Sequence, residues 1–70
     1  MKYREVARKL QALGCHEIPR SGGGSHRKWQ NLANTKTTVV PDKGGKDLKT
    51  GTLRAVIKQL GLDWQDFDSA

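Results

Sequence analysis

Cysteine, acidic side chains and long apolar runs are all scarce in this 70-residue chain, and each shortage excludes something. Cys15 is the only cysteine, so no internal disulfide can form, and even with His16 and His26 a structural zinc site lacks ligands. A reducing compartment fits, and no metal is expected. No apolar run reaches membrane length and no secretory signal is visible, which points to a cytoplasmic protein without membrane contact. Apolar residues make up only 34% of the chain. A chain this short hides only about 60% of the surface its unfolded form exposes. The core must therefore be small, and Val6, Leu10, Leu13, Ile18, Trp29, Val39, Val40, Leu53, Val56, Ile57 and Leu60 are the expected members. Little room remains for a buried cofactor, which needs a pocket of about 300 Å³ or more, and none is expected. The length allows one domain, residues 1–70.

The shortage of acids is uneven. Thirteen Lys and Arg stand against seven Asp and Glu, a net charge of +6. Asp63, Asp66 and Asp68 lie in the last nine residues, leaving thirteen positive and four negative charges over residues 1–61. An excess that large on a small body points to a phosphate backbone or another acidic surface as partner.

Apolar residues Tyr3, Val6, Ala7, Leu10 and Leu13 recur at helical spacing, and Gly14 stands where a left-handed C-cap belongs. This pattern predicts a first helix over Lys2 to Leu13. Cys15 to Arg20 reads as an edge strand, ending near Pro19. Ser21 to Gly24 is a glycine-rich connection, and Ser25 to Asn31 a second strand. Alternation there puts Ser25, Arg27 and Trp29 on one face and His26, Lys28 and Gln30 on the other. Trp29 needs a core, so His26 and Lys28 should face water. Thr35 to Val40 reads as a third strand closed by Pro41. A polar loop follows, then a second helix with Leu53, Val56, Ile57 and Leu60 on one stripe and Gly61 as its stop. Asp63 is placed to cap a short acidic helical turn within 63–70, where Trp64 and Phe67 close the end of the core. The expected class is α+β, in the order α-β-β-β-α, with a three-stranded antiparallel sheet and both helices on one face.

His26 carries the sharpest chemical suggestion. Cutting RNA requires taking a proton from a 2′-hydroxyl, stabilising charge on phosphorus and protonating the departing 5′-oxygen. A neutral imidazole can do the first, contributing about 10²–10⁴-fold as a general base. The neighbouring cations Arg27 and Lys28 should favour the neutral ring and could address the developing charge. The backbone at Gly22 to Gly24, without β-carbons, can approach a phosphate closely and turn its N–H groups toward it, and Ser25 stands beside it. His16 is a second candidate, for the general acid.

The second helix offers another anion site. Lys46 and Lys49 precede its start, against the helix dipole, and the amides of Thr50, Gly51 and Thr52 are the unpaired donors of its first turn. Arg54 and Lys58, four apart with no acid at helical spacing, are a like-charge pair that a phosphate backbone would make favourable.

Gly24-Ser25-His26 followed by a strand, Val40-Pro41, and Lys46-Asp47-Leu48-Lys49-Thr50-Gly51-Thr52-Leu53-Arg54 together resemble the HicA toxin family of bacterial toxin–antitoxin systems. The resemblance runs from the opening helix to Leu60-Gly61-Leu62. It implies a fold like a double-stranded RNA-binding domain, messenger RNA as substrate, endoribonuclease activity independent of translation, and an acidic antitoxin, HicB, as partner. The family's catalytic histidine falls on His26. Many members carry another histidine shortly after the proline of the third strand, where this chain has Asp42 and Lys43, so the acid half of the reaction stays unassigned. A non-catalytic RNA-binding module, gripping duplex by shape, and a protein adapter docking an acidic partner are the competing readings.

Overall fold

The structure, a computed structural model, describes residues 1–19 and 25–70. Three helices and three strands follow one another as α1 (Tyr3–Ala12), β1 (Cys15–Glu17), β2 (His26–Asn31), β3 (Thr37–Pro41), α2 (Thr50–Gln59) and α3 (Trp64–Ser69). The antiparallel sheet has the order β1-β2-β3, with His16 opposite Gln30, Glu17 opposite Trp29, Trp29 opposite Thr38 and His26 opposite Pro41. The expected α+β layout is what forms, with α3 as a short addition.

Glycines end the long helices where the sequence placed them. Gly14 and Gly61 both sit at positive φ, +86° and +68°, which lets the chain reverse without a β-carbon penalty. At Gly61 space matters as well: a β-carbon would stand 2.6 Å from Asn34 Nδ2. That amide and Asn31 Nδ2 both donate to the Leu60 carbonyl, at 3.0 and 2.9 Å, so the free end of α2 is satisfied by the turn after β2. Asp63 caps α3 as expected, its carboxylate accepting from the Gln65 amide at 2.7 Å.

Val6 and Leu10 of α1, Trp29 and Val40 of the sheet, Leu53, Val56, Ile57 and Leu60 of the α2 segment, and Phe67 of α3 form one buried cluster with Cys15 and Leu48. Both long helices thus cover the same face of the sheet. Three expected core residues fall outside: Leu13 and Ile18 are half-buried, and Val39 is 49% exposed. Val39 faces water because it lies opposite Lys28, on the uncovered face, while its neighbour Val40 fills the covered one. Two apolar residues in succession cannot both point inward from a strand.

Strand limits differ from the sequence reading at four ends, one of them being that β2 begins at His26 rather than Ser25. β1 stops at Glu17, although the Ile18 amide still donates to the Lys28 carbonyl. The third strand begins at Thr37 rather than Thr35, because Thr35 takes a left-handed φ of 62° and closes the turn from β2. Pro41 extends it instead, tolerated because β3 is an edge strand.

Candidate functional site

β2 is the central strand, so the two faces of the sheet are read most clearly along it. Arg27, Trp29 and Asn31 turn toward the helices, and Trp29 and Asn31 are buried. His26 and Lys28 are exposed on the opposite face, where Gln30, His16, Thr37 and Val39 also stand. Among the described residues, no helix covers that face.

His16 and His26 share this face without sharing a site. His16 is paired with Gln30, and its Nε2 lies 3.3 Å from Gln30 Oε1. Four residues of extended strand, about 13 Å at 3.3 Å per residue, separate Gln30 from His26. A base and an acid acting on one phosphodiester must both reach that phosphate, so this geometry argues against His16 as the acid.

Arg27 lies on the face of Trp29, where the alternation of the strand puts it. Strand alternation carries it inward, away from His26. Its Nη1 meets Glu17 Oε2 at 3.2 Å, its Nε lies 3.3 Å from Asp42 Oδ2 in an ionic contact, and its guanidinium stands 5.9 Å from the Tyr3 ring centroid. Tyr3 donates its hydroxyl proton to Glu17 Oε1 at 3.0 Å and accepts the Trp29 indole N–H at 3.1 Å. One connected network therefore joins α1, β1, β2 and the segment after β3. Within it, Glu17 raises the Arg27 pKa further above its ordinary value, and burial raises that of Tyr3.

The end of the sheet holding His26 is also where both long helices begin. The Asp42 amide donates to the Ser25 carbonyl, tying the start of β2 to the end of β3. Lys2 and Asp47 form an isolated bridge, and the Leu48 amide donates to the Met1 carbonyl at 2.8 Å, which sets the start of α2 beside the start of α1. Lys46, Lys49, Thr50 and Gly51 are exposed there and Thr52 is half-buried. α2 has Lys49 at its N-cap, no side-chain cap and no acid in its first turn. Ser25, His26, Lys28, Lys46 and Lys49 to Thr52 thus lie around one end of the molecule. Gly24 lies outside the described residues.

Arg54 and Lys58 belong elsewhere. They line a cleft of about 390 Å³ between α2 and α3, with Ile57, Leu62 and Trp64, on the helical side of the sheet. Arg54 stacks over the Trp64 ring at 4.5 Å from its centroid. The sequence reading missed a second cleft, of about 410 Å³, lined by Lys2, Tyr3, Arg4, Asp42, Gly44 and Gly45. Gly44-Gly45 and the basic start of α1 were visible in the sequence, but nothing local showed that they meet. Among the described residues, no three His, Cys, Asp or Glu side chains gather as a metal-binding set, and no helix is long and apolar enough to cross a membrane.

No solved structure matches the chain significantly. The chain is 44% identical over 62 residues to the probable mRNA interferase HicA of Pseudomonas fluorescens (strain Pf0-1), covering 89% of this chain and 97% of that protein. A model of the HicA toxin of bacterial toxin–antitoxin systems matches residues 3–62, a span that takes in every element from α1 to α2 and the strand bearing His26. The chain belongs to the HicA toxin family.

Proposed function

We propose that this protein is the toxin of a type II toxin–antitoxin pair, a single-domain endoribonuclease that cuts messenger RNA in the cytoplasm without a metal ion. The observation that carries the proposal is the exposure of His26 on an uncovered sheet face, with Lys28 two residues along the same face. His26 takes the proton of a ribose 2′-hydroxyl, and the freed oxygen attacks the adjacent phosphorus. The bond from phosphorus to the 5′-oxygen breaks, and the departing oxygen takes a proton from solvent water while the His26 imidazolium returns its own to solvent, leaving a 2′,3′-cyclic phosphate on one fragment and a 5′-hydroxyl on the other. Lys28 stabilises the negative charge that builds on the phosphoryl oxygens. Lys46, Lys49 and the first turn of α2, with Thr50, Gly51 and Thr52, hold backbone phosphate at the same end, with Ser25 beside the histidine. Arg27 supports the site from the other face of β2. Arg54 and Lys58 add positive field from the helical side.

The relative's name, mRNA interferase, supports the reaction class. The family's toxin–antitoxin setting supports a neutralising partner, which we take to be an acidic antitoxin of the HicB type drawn to the net charge of +6. Expression of the wild type and of His26→Ala in a bacterium tests the proposal. Arrest and degraded messages only with the wild type are expected, and equal growth with intact messages in both would refute it. Incubation with labelled RNA separates the enzyme from a binding module, which would retain the RNA whole.

A further inference from the structure

We infer that the cleft between the start of α1 and the Asp42–Gly45 segment is a second RNA contact, a subsite for the nucleotide next to the one cut at His26. The inference rests on the ribonuclease reading of His26 and extends it to residues outside the site proposed above. The cleft measures about 410 Å³ and is lined by Lys2, Tyr3, Arg4, Asp42, Gly44 and Gly45, within the size range of small-ligand sites. Lys2 and Arg4 are exposed at its rim, where two cations can take one phosphate between them.

Its one carboxylate does not oppose an anion strongly, because Asp42 is already engaged. One oxygen of Asp42 accepts the Gly44 amide at 3.0 Å and the other faces Arg27 at 3.3 Å. Gly45 leaves the wall open, since a β-carbon built there meets no atom within 4 Å. Position links the cleft to the reaction. Asp42, which lines it, is hydrogen-bonded through its backbone to Ser25, and Pro41 is the register partner of His26. A strand seated in the cleft therefore reaches the imidazole by rounding the Pro41–Asp42 edge of the sheet. The positive rim favours a nucleic-acid strand over an uncharged occupant, and the adjacency to His26 favours the substrate over a separate ligand.

The test measures equilibrium binding of a short single-stranded RNA to the full chain carrying His26→Ala, so that affinity is read without cleavage, while wild-type cleavage reports separately on the ribonuclease reading. In that background, Lys2→Ser with Arg4→Gln removes both rim charges, and serine suits the N-cap position of α1, where Lys2 makes no side-chain cap. Binding should weaken roughly tenfold or more, and the slope of log K against log salt should flatten by about 0.7, as expected for loss of one phosphate contact on a single strand. Gly45→Val fills the opening without changing charge and should weaken binding as well. Arg8→Ala with Lys36→Ala removes the same number of charges at exposed positions outside the cleft and should change affinity much less. Equal losses from the Arg8 and Lys36 pair would show a bulk charge effect and overturn the subsite. Unchanged RNA affinity in the cleft variants, with weakened binding of the antitoxin instead, would also overturn it and make the cleft a protein-docking site.

Discussion

Removing each histidine in turn separates the chemistry from the surface. His26→Ala deletes the proposed base, and the rate of RNA cleavage should fall by about 10²–10⁴-fold, or about 2.7–5.5 kcal/mol of barrier. His16→Ala should leave the rate within about twofold, as a surface change of about 0.5 kcal/mol allows. The contrast follows from register: His16 lies opposite Gln30, and His26 opposite Pro41 at the other end of β2. At about 3.3 Å per residue, His26 and the strand position facing His16 lie some 13 Å apart. No single phosphate touches both. Single-turnover cleavage of an end-labelled RNA, with enzyme in excess, reads the chemical step free of product release. A hundredfold loss in His16→Ala, with thermal unfolding unchanged, would refute this division of labour and place the acid on β1. Lys28→Ala belongs in the same series, and an intermediate loss is expected because Lys28 shares the face of His26 two residues away.

Gly61→Ala should destabilise by about 2 kcal/mol, combining the left-handed backbone cost with loss of the Asn34 contact that a β-carbon at 2.6 Å displaces. Calorimetry should show Tm lower by about 8–16 °C in a domain of this size. Asp63→Ala removes the cap of α3 and should cost about 1 kcal/mol in denaturant unfolding. Burial is the largest cause raising the Tyr3 pKa above its ordinary 10.0, so folding stability should hold below that value and decline as pH rises through the higher folded one. Tyr3→Phe should lessen the decline, leaving the part that the buried Cys15 thiol contributes, as followed by urea midpoints at alkaline pH. Burial likewise raises the Cys15 thiol above 9.0, so alkylation of the native protein should be slow and should accelerate on unfolding.

Much of the fold was legible because local rules and tertiary packing agree. The apolar spacing of α1 and α2, the two stop glycines and the Asp63 cap each follow from backbone sterics acting within a few residues. The misplacement of Val39, counted as core but facing water, comes from treating neighbours in sequence as neighbours in space, whereas on a strand adjacent residues are the ones held apart. Arg27 lies on the Trp29 face as alternation predicts, but its contacts with Glu17 and Asp42 join residues that no local pattern brings together. The Lys2–Gly45 cleft could not be found that way at all, since it depends on the bridge between Lys2 and Asp47.

The same alternation makes the core responsible for the candidate site. Trp29 is 1% exposed, and its indole N–H is tied to Tyr3, so β2 has one acceptable registration against β1 and β3. Sliding it by a single residue would drive Trp29 into water and His26 under the helices. Burying a side chain of this class is worth roughly 1.5–3 kcal/mol or more, which biases the choice between those arrangements by a factor of more than ten. The exposure of His26 is thus not independent of the packing but its odd-numbered consequence: what holds the tryptophan in holds the imidazole out. A loosening of the core at Trp29 should therefore lower activity through the register of the strand, even though the indole never meets the RNA.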